Sequence, residues 1–149
     1  MKKPVFLVLG IVVILSLGIS GYLLISKSEA ERIEEIWREA QTGDAGAQYS
    51  LGQAYIQGNS DAGLEPDAGE AEQWLQKAAV QRHSDAQYAL GVFYQSAGHD
   101  VAAYAWLSIA ASGTNDLASQ LREASAKRMT GAQLAEARQM IGQLKGEIK

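Results

Sequence analysis

The stretch Ala47-Gln48-Tyr49-Ser50-Leu51-Gly52-Gln53-Ala54-Tyr55 is written a second time as Ala86-Gln87-Tyr88-Ala89-Leu90-Gly91-Val92-Phe93-Tyr94, 39 positions further on. Self-similarity at such a period marks units that cannot bury an apolar face alone and must stack to do so. A second phrase, Trp74-Leu75-Gln76-Lys77-Ala78-Ala79, returns as Trp106-Leu107-Ser108-Ile109-Ala110-Ala111 after 32 positions. The two offsets differ because Tyr55 to Trp74 spans 19 positions and Tyr94 to Trp106 spans 12. The helices are therefore repeated and only the turn between them varies.

Spacing assigns a face to each phrase. Ala47, Leu51 and Tyr55 lie four apart, as do Ala86, Leu90 and Tyr94, so each set falls on one side of a helix. Ala71, Trp74 and Ala78, echoed by Ala103, Trp106 and Ala110, form the matching side of a second helix, with each Trp as the large filler. Gly52 and Gly91 remove side chains where helices have to approach closely. Leu134, Ala137, Ile141, Leu144 and Ile148 step by 3, 4, 3 and 4, a stripe that suits either a seal over the end of the stack or a homodimer through the C-terminal helix.

The order Ala-Gln-x-x-Leu-Gly-x-x-Tyr, a turn, then Ala-x-x-Trp-x-x-x-Ala-Ala resembles the Sel1-like repeat, a relative of the tetratricopeptide repeat with two antiparallel helices per unit. The resemblance covers residues 33–149 and implies an all-α solenoid of helical hairpins. It also implies a C-terminal helix pair, Leu117 to Met129 and Gln133 to Ile148, and a binding scaffold with no named partner. The expected division is a degenerate capping helix over 31–41, repeat one over 44–82, repeat two over 83–113 and capping helices over 115–148. Arg82 stands where the family pattern has Gly, so a strained cap is expected there.

Ahead of the repeats, 21 residues from Val5 to Ile25 carry no charge. At about 1.5 Å per residue such a run crosses the roughly 30 Å of a bilayer core. It is too long for the apolar part of a signal peptide and has no convincing cleavage site, which favours an uncleaved transmembrane anchor. Residues 1–4 then form a cytoplasmic tail, residues 26–32 a short linker, and the repeat domain lies outside the inner membrane of a bacterium, in the periplasm where there is an outer membrane. The charges flanking the run are nearly balanced; the very short leading tail decides the orientation.

Composition narrows the chemistry. The chain of 149 residues has no cysteine, so neither a disulfide framework nor a thiolate metal site exists. Residues 27–85 carry 5 bases and 12 acids while 86–149 carry 6 and 5, a balance that argues against nucleic acid. The acidic half favours a basic partner surface or is simply a solvated face. His83 and His99 lie 16 apart without ligand spacing, and no nucleophile elbow, phosphate loop or Cys nucleophile is present. The sequence implies no enzyme, no cofactor, no metal and no small-molecule substrate. Gly58-Asn59-Ser60-Asp61-Ala62-Gly63 lacks the alternating oxygen ligands and terminal Glu of a calcium loop and reads as a turn.

Helix starts are signalled by capping boxes at Ser84-Asp85-Ala86-Gln87 and Thr130-Gly131-Ala132-Gln133 and by Asp67. Helix ends are signalled by Gly43 and Gly113. In solenoids of this type the first helix of each pair lines the concave face. Removing the core positions leaves Tyr49, Gln53 and Ile56 on one stripe and Tyr88, Val92 and Gln95 on its equivalent, and these are the candidate protein-binding residues. The expected function is a membrane-anchored scaffold or adaptor in the bacterial envelope; the alternatives are an immunity-type inhibitor that caps a toxin or effector and, less favoured, an envelope enzyme.

Overall fold

The computed structural model describes residues 17–148 apart from 114, with side chains from 29 onward. Seven α-helices make up the described residues: α1 (Leu17–Thr42), α2 (Ala45–Gln57), α3 (Ala68–Val80), α4 (Ser84–Ser96), α5 (Asp100–Ala110), α6 (Asp116–Arg128) and α7 (Gly131–Glu147). Among the described residues no helix is long and apolar enough to cross a membrane. The expected tail 1–4 and most of the expected span 5–25 lie outside the described residues. The segment 26–32, expected as a linker, is helix, because α1 runs unbroken from Leu17 into the first unit.

Hairpins stack as the repeated phrases require. α2 packs on α3 and α4 on α5, and the two pairs join through α3 and α4. Ala47, Leu51, Tyr55, Ala71 and Trp74 are buried in one cluster with Ile33 and Ala40 of α1, which closes the open end. Ala78, Ala86, Leu90 and Trp106 belong to the next cluster. Tyr94, the repeat counterpart of Tyr55, is only half-buried; its hydroxyl donates to Glu72 Oε1 at 2.5 Å. Burial, reinforced by that carboxylate, pushes the Tyr94 hydroxyl well above the usual phenol range.

Two close helix approaches fall at glycines. A Cβ on Gly52 would lie 2.7 Å from Leu75 Cγ, and one on Gly91 would lie 2.5 Å from Leu107 Cγ. Each contact joins the two helices of one hairpin, so the Leu-Gly of one phrase serves the Trp-Leu of the other.

The caps agree with the sequence at Gly43, Asp67, Arg82 and Thr130 and depart from it at Ser84 and Gly113. Asp67 accepts from the backbone N–H groups of Gly69 and Glu70, and Thr130 with Gln133 forms a reciprocal box. At α4 the cap is His83, whose Nδ1 accepts from Ala86 N at 3.3 Å. Ser84 is already the first helical residue, so the expected box there does not form. Gly113 is not in left-handed backbone; α5 ends one residue before Ala111, which is at φ −73°. Left-handed backbone does precede α2, α4 and α5, at Gly43 (φ +102°), Arg82 (φ +65°) and Gly98 (φ +77°). Arg82 is the one non-glycine residue among the described residues with a positive φ. For an L-residue that conformation costs roughly 1 to 2 kcal/mol.

The long turn between α2 and α3 is a packing element. Asn59 and Leu64 exchange backbone hydrogen bonds at 2.7 and 2.9 Å, and Asn59 Oδ1 accepts from Ala62 N at 3.0 Å. The loop so held buries Ala62 and Leu64 in the cluster that contains Ile33 of α1. At the other end, α7 packs on α5 rather than on α6. Its Leu144, with Met140, Ile141 and Ile148, joins the cluster around Trp106, so the heptad stripe is used within the chain as the seal.

Candidate functional site

Three first helices carry the same cap. Asp44, His83 and Asn115 each accept from the backbone N–H of the alanine three residues later, Ala47 at 2.7 Å, Ala86 at 3.3 Å and Ala118 at 3.0 Å. All three alanines are buried. This registers α6 as the first helix of a third, degenerate unit. Counting equal steps from the caps ranks Tyr49 with Tyr88 and Gln120, Gln53 with Val92 and Ala124, and Ile56 with Gln95 and Lys127. Sequence reasoning missed the third rank because α6 keeps neither Tyr nor Leu-Gly; the cap and its alanine were the surviving signal.

The Ala-Gln pair of the phrase has a structural task. Gln48 Nε2 donates to the Ala40 carbonyl at 3.1 Å, and Gln87 Nε2 donates to the Ala79 carbonyl at 3.0 Å. Each carbonyl, at the end of the preceding helix, also accepts a backbone N–H from the turn, Gly43 N at 3.2 Å on Ala40 and Arg82 N at 3.1 Å on Ala79, so the glutamine supplies a second donor that ties the next helix to that end. Gln48 Oε1 also accepts from Gln81 Nε2 at 2.7 Å, linking the start of α2 to the end of α3.

The candidate stripe divides into joints and open positions. Tyr49 is half-buried; its ring stacks on His83 at 4.9 Å and its hydroxyl accepts from Gln53 Nε2 at 3.0 Å. Tyr88 is also half-buried and packs against the cluster of Ala103, Leu107, Ala110 and Ala118. Gln95 Nε2 donates to the Leu121 carbonyl at 3.1 Å and to Ser125 Oγ at 2.9 Å, which ties α4 to α6. Ile56 and Val92 stand open, at 41% and 37% exposure. Large apolar side chains are therefore exposed beside two tyrosines that the stacking of units holds rigid.

This surface lacks charge. α2 contains no charged residue, and α4 has only Asp85 in its first turn. By contrast α1 exposes Glu31, Glu34, Glu35 and Glu39. Depletion of charge together with enrichment in aromatic residues is what distinguishes the core of a protein interface from ordinary surface. Among the described residues no group of His, Asp and Glu is arranged to hold a metal ion.

Over 87% of its length the chain is similar to a solved structure, a protective antigen present in uropathogenic Escherichia coli strains displaying an SLR (Sel1-like repeat) fold, with a TM-score of 0.72 and 26% sequence identity. The chain has the Sel1-like repeat fold. It spans 30% of the length of that antigen. No family model matches the chain, and no curated protein matches it. Within the Sel1-like frame, α2 with α3 and α4 with α5 are two full units, α1 closes the first, and α6 with α7 ends the stack.

Proposed function

We propose that this Sel1-like chain is a protein-interaction scaffold that holds a partner on the uncharged face of α2 and α4. The observation that carries the reading is the exposure of Ile56 and Val92 on helices almost free of charge, flanked by Tyr49 and Tyr88 in fixed positions. Rigid aromatics lose little entropy on binding and are enriched among residues that dominate interface energetics. Photo-crosslinking in the native host tests it. A photoreactive residue at position 56 or 92 gives one and the same partner band, and one at the exposed position 76 of α3 gives none. Equal labelling from all three positions would sink the reading.

The finer proposal is that residues 5–25 anchor the scaffold in the inner membrane with the repeats outside the cytoplasm. It rests on the length and neutrality of that run. The helical character of 26–32 would then place Ile33, the first buried side chain among the described residues, about two helical turns from the end of the run, so the scaffold would work close to the bilayer. The identity of the crosslinked protein separates an envelope adaptor from an inhibitor that caps a toxin.

A further inference from the structure

A second surface lies where the turn before α4 meets the ends of α5 and α7. An open cleft of about 400 Å³ is lined there by residues of all three elements and by none of the stripe residues. Ile109 and Ala110 of α5 and Ile148 beyond α7 give it apolar walls. Its charged lining residues are Arg82 and Lys145, and among the described residues no carboxylate lines it. Both cations are exposed, and neither is in an ion pair among the described residues. Asp85 and Glu147, the acids nearest in sequence, are exposed and outside the lining.

Arg82 is the informative member. Glycine fills the same left-handed place before α2 and before α5, at Gly43 and Gly98, whereas arginine fills it here against its own backbone preference. The turn does not need a side chain at that position. Arg82 lines the cleft, and a planar, fork-shaped cation with an apolar wall beside it matches a carboxylate carried next to an aliphatic group.

We infer that this cleft docks an acidic peptide segment of a protein partner, with a carboxylate between Arg82 and Lys145 and an adjacent aliphatic side chain against Ile109 and Ile148. The site is separate from the α2 and α4 face and would bind whether or not that face does.

The test uses the full chain on an array of twelve-residue peptides that pair Asp or Glu with Leu or Ile, beside the same peptides carrying Asn or Gln. Arg82→Gly is the decisive variant, because it relieves the left-handed strain and so keeps the fold; Lys145→Gln is the second. The acidic-aliphatic peptides are held by the wild type, lose about tenfold in affinity with Arg82→Gly, as removal of a charge-assisted hydrogen bond implies, and are not held in amide form. Val92→Arg, on the exposed α4 face and outside the cleft lining, leaves this binding unchanged, which keeps the result independent of the reading above. The inference is overturned if no acidic-aliphatic peptide is held, if Arg82→Gly and Lys145→Gln bind as the wild type does, or if the two cations instead serve binding to phosphatidylglycerol vesicles.

Discussion

Gly91 and Leu107 meet so closely that a β-carbon on the glycine would lie 2.5 Å from Leu107 Cγ and 3.2 Å from its backbone nitrogen. In α7, by contrast, a Cβ on Gly142 meets nothing within 4 Å. The same substitution must then have opposite signs. Gly91→Ala gains helix propensity but forces two helices apart, and it should lower stability by about 1 to 3 kcal/mol. Gly142→Ala should raise it by up to about 1 kcal/mol. Thermal melts of the two variants check both signs.

The glutamine of the repeated phrase is a helix-end cap. Replacing Gln87 with Met keeps the bulk and removes the donor to the Ala79 carbonyl. The Ala79 carbonyl keeps the Arg82 N–H, so the loss expected is that of one net hydrogen bond, about 0.5 to 1.5 kcal/mol. Denaturant unfolding of Gln87→Met measures it, and an unchanged midpoint would mean that the glutamine only fills space.

Trp106 is buried among Leu75, Ala79 and Leu90 in the central cluster, which also takes in Leu144 of α7. Trp106→Ala should cost about 3 to 5 kcal/mol. Loss of cooperative unfolding by circular dichroism is the expected outcome, and a variant that melts like the wild type would remove Trp106 from the core.

The parts of the fold legible in sequence are those where both copies kept the same side chains. Gly52 and Gly91 each face the leucine that follows the Trp of their own unit, and Leu51, Leu90, Trp74 and Trp106 are all buried. The third first helix was hidden because Arg122 and Ala126 stand where Leu90 and Tyr94 stand in α4. His83 displaced Ser84 as a cap because the imidazole Nδ1 can accept from Ala86 as a hydroxyl would, and nothing in the order Ser-Asp-Ala-Gln reveals which residue begins the helix. The candidate stripe was legible as a face, but not its joints. Tyr49 meets the start of the next unit at His83, and Gln95 meets α6, through contacts 34 and 30 positions away that no local spacing encodes.

The proposed anchor gives a prediction of its own. The full chain should pellet with membranes and resist carbonate extraction, since a run of 21 uncharged residues is long enough to span. A C-terminal alkaline phosphatase fusion should be active and a green fluorescent protein fusion dark. A soluble mature form, or the reverse fusion pattern, would overturn the anchor or its orientation.

The most direct test of the interaction surface is the affinity of the purified crosslinked partner for Val92→Arg beside the wild type. Val92 is 37% exposed, so the change should move stability by only about 0.5 kcal/mol. A charge placed in the centre of an uncharged interface should cost at least about 2 kcal/mol of binding, roughly a thirtyfold loss. The account predicts that loss with a superimposable melting curve. Unchanged affinity in a folded Val92→Arg chain would contradict it.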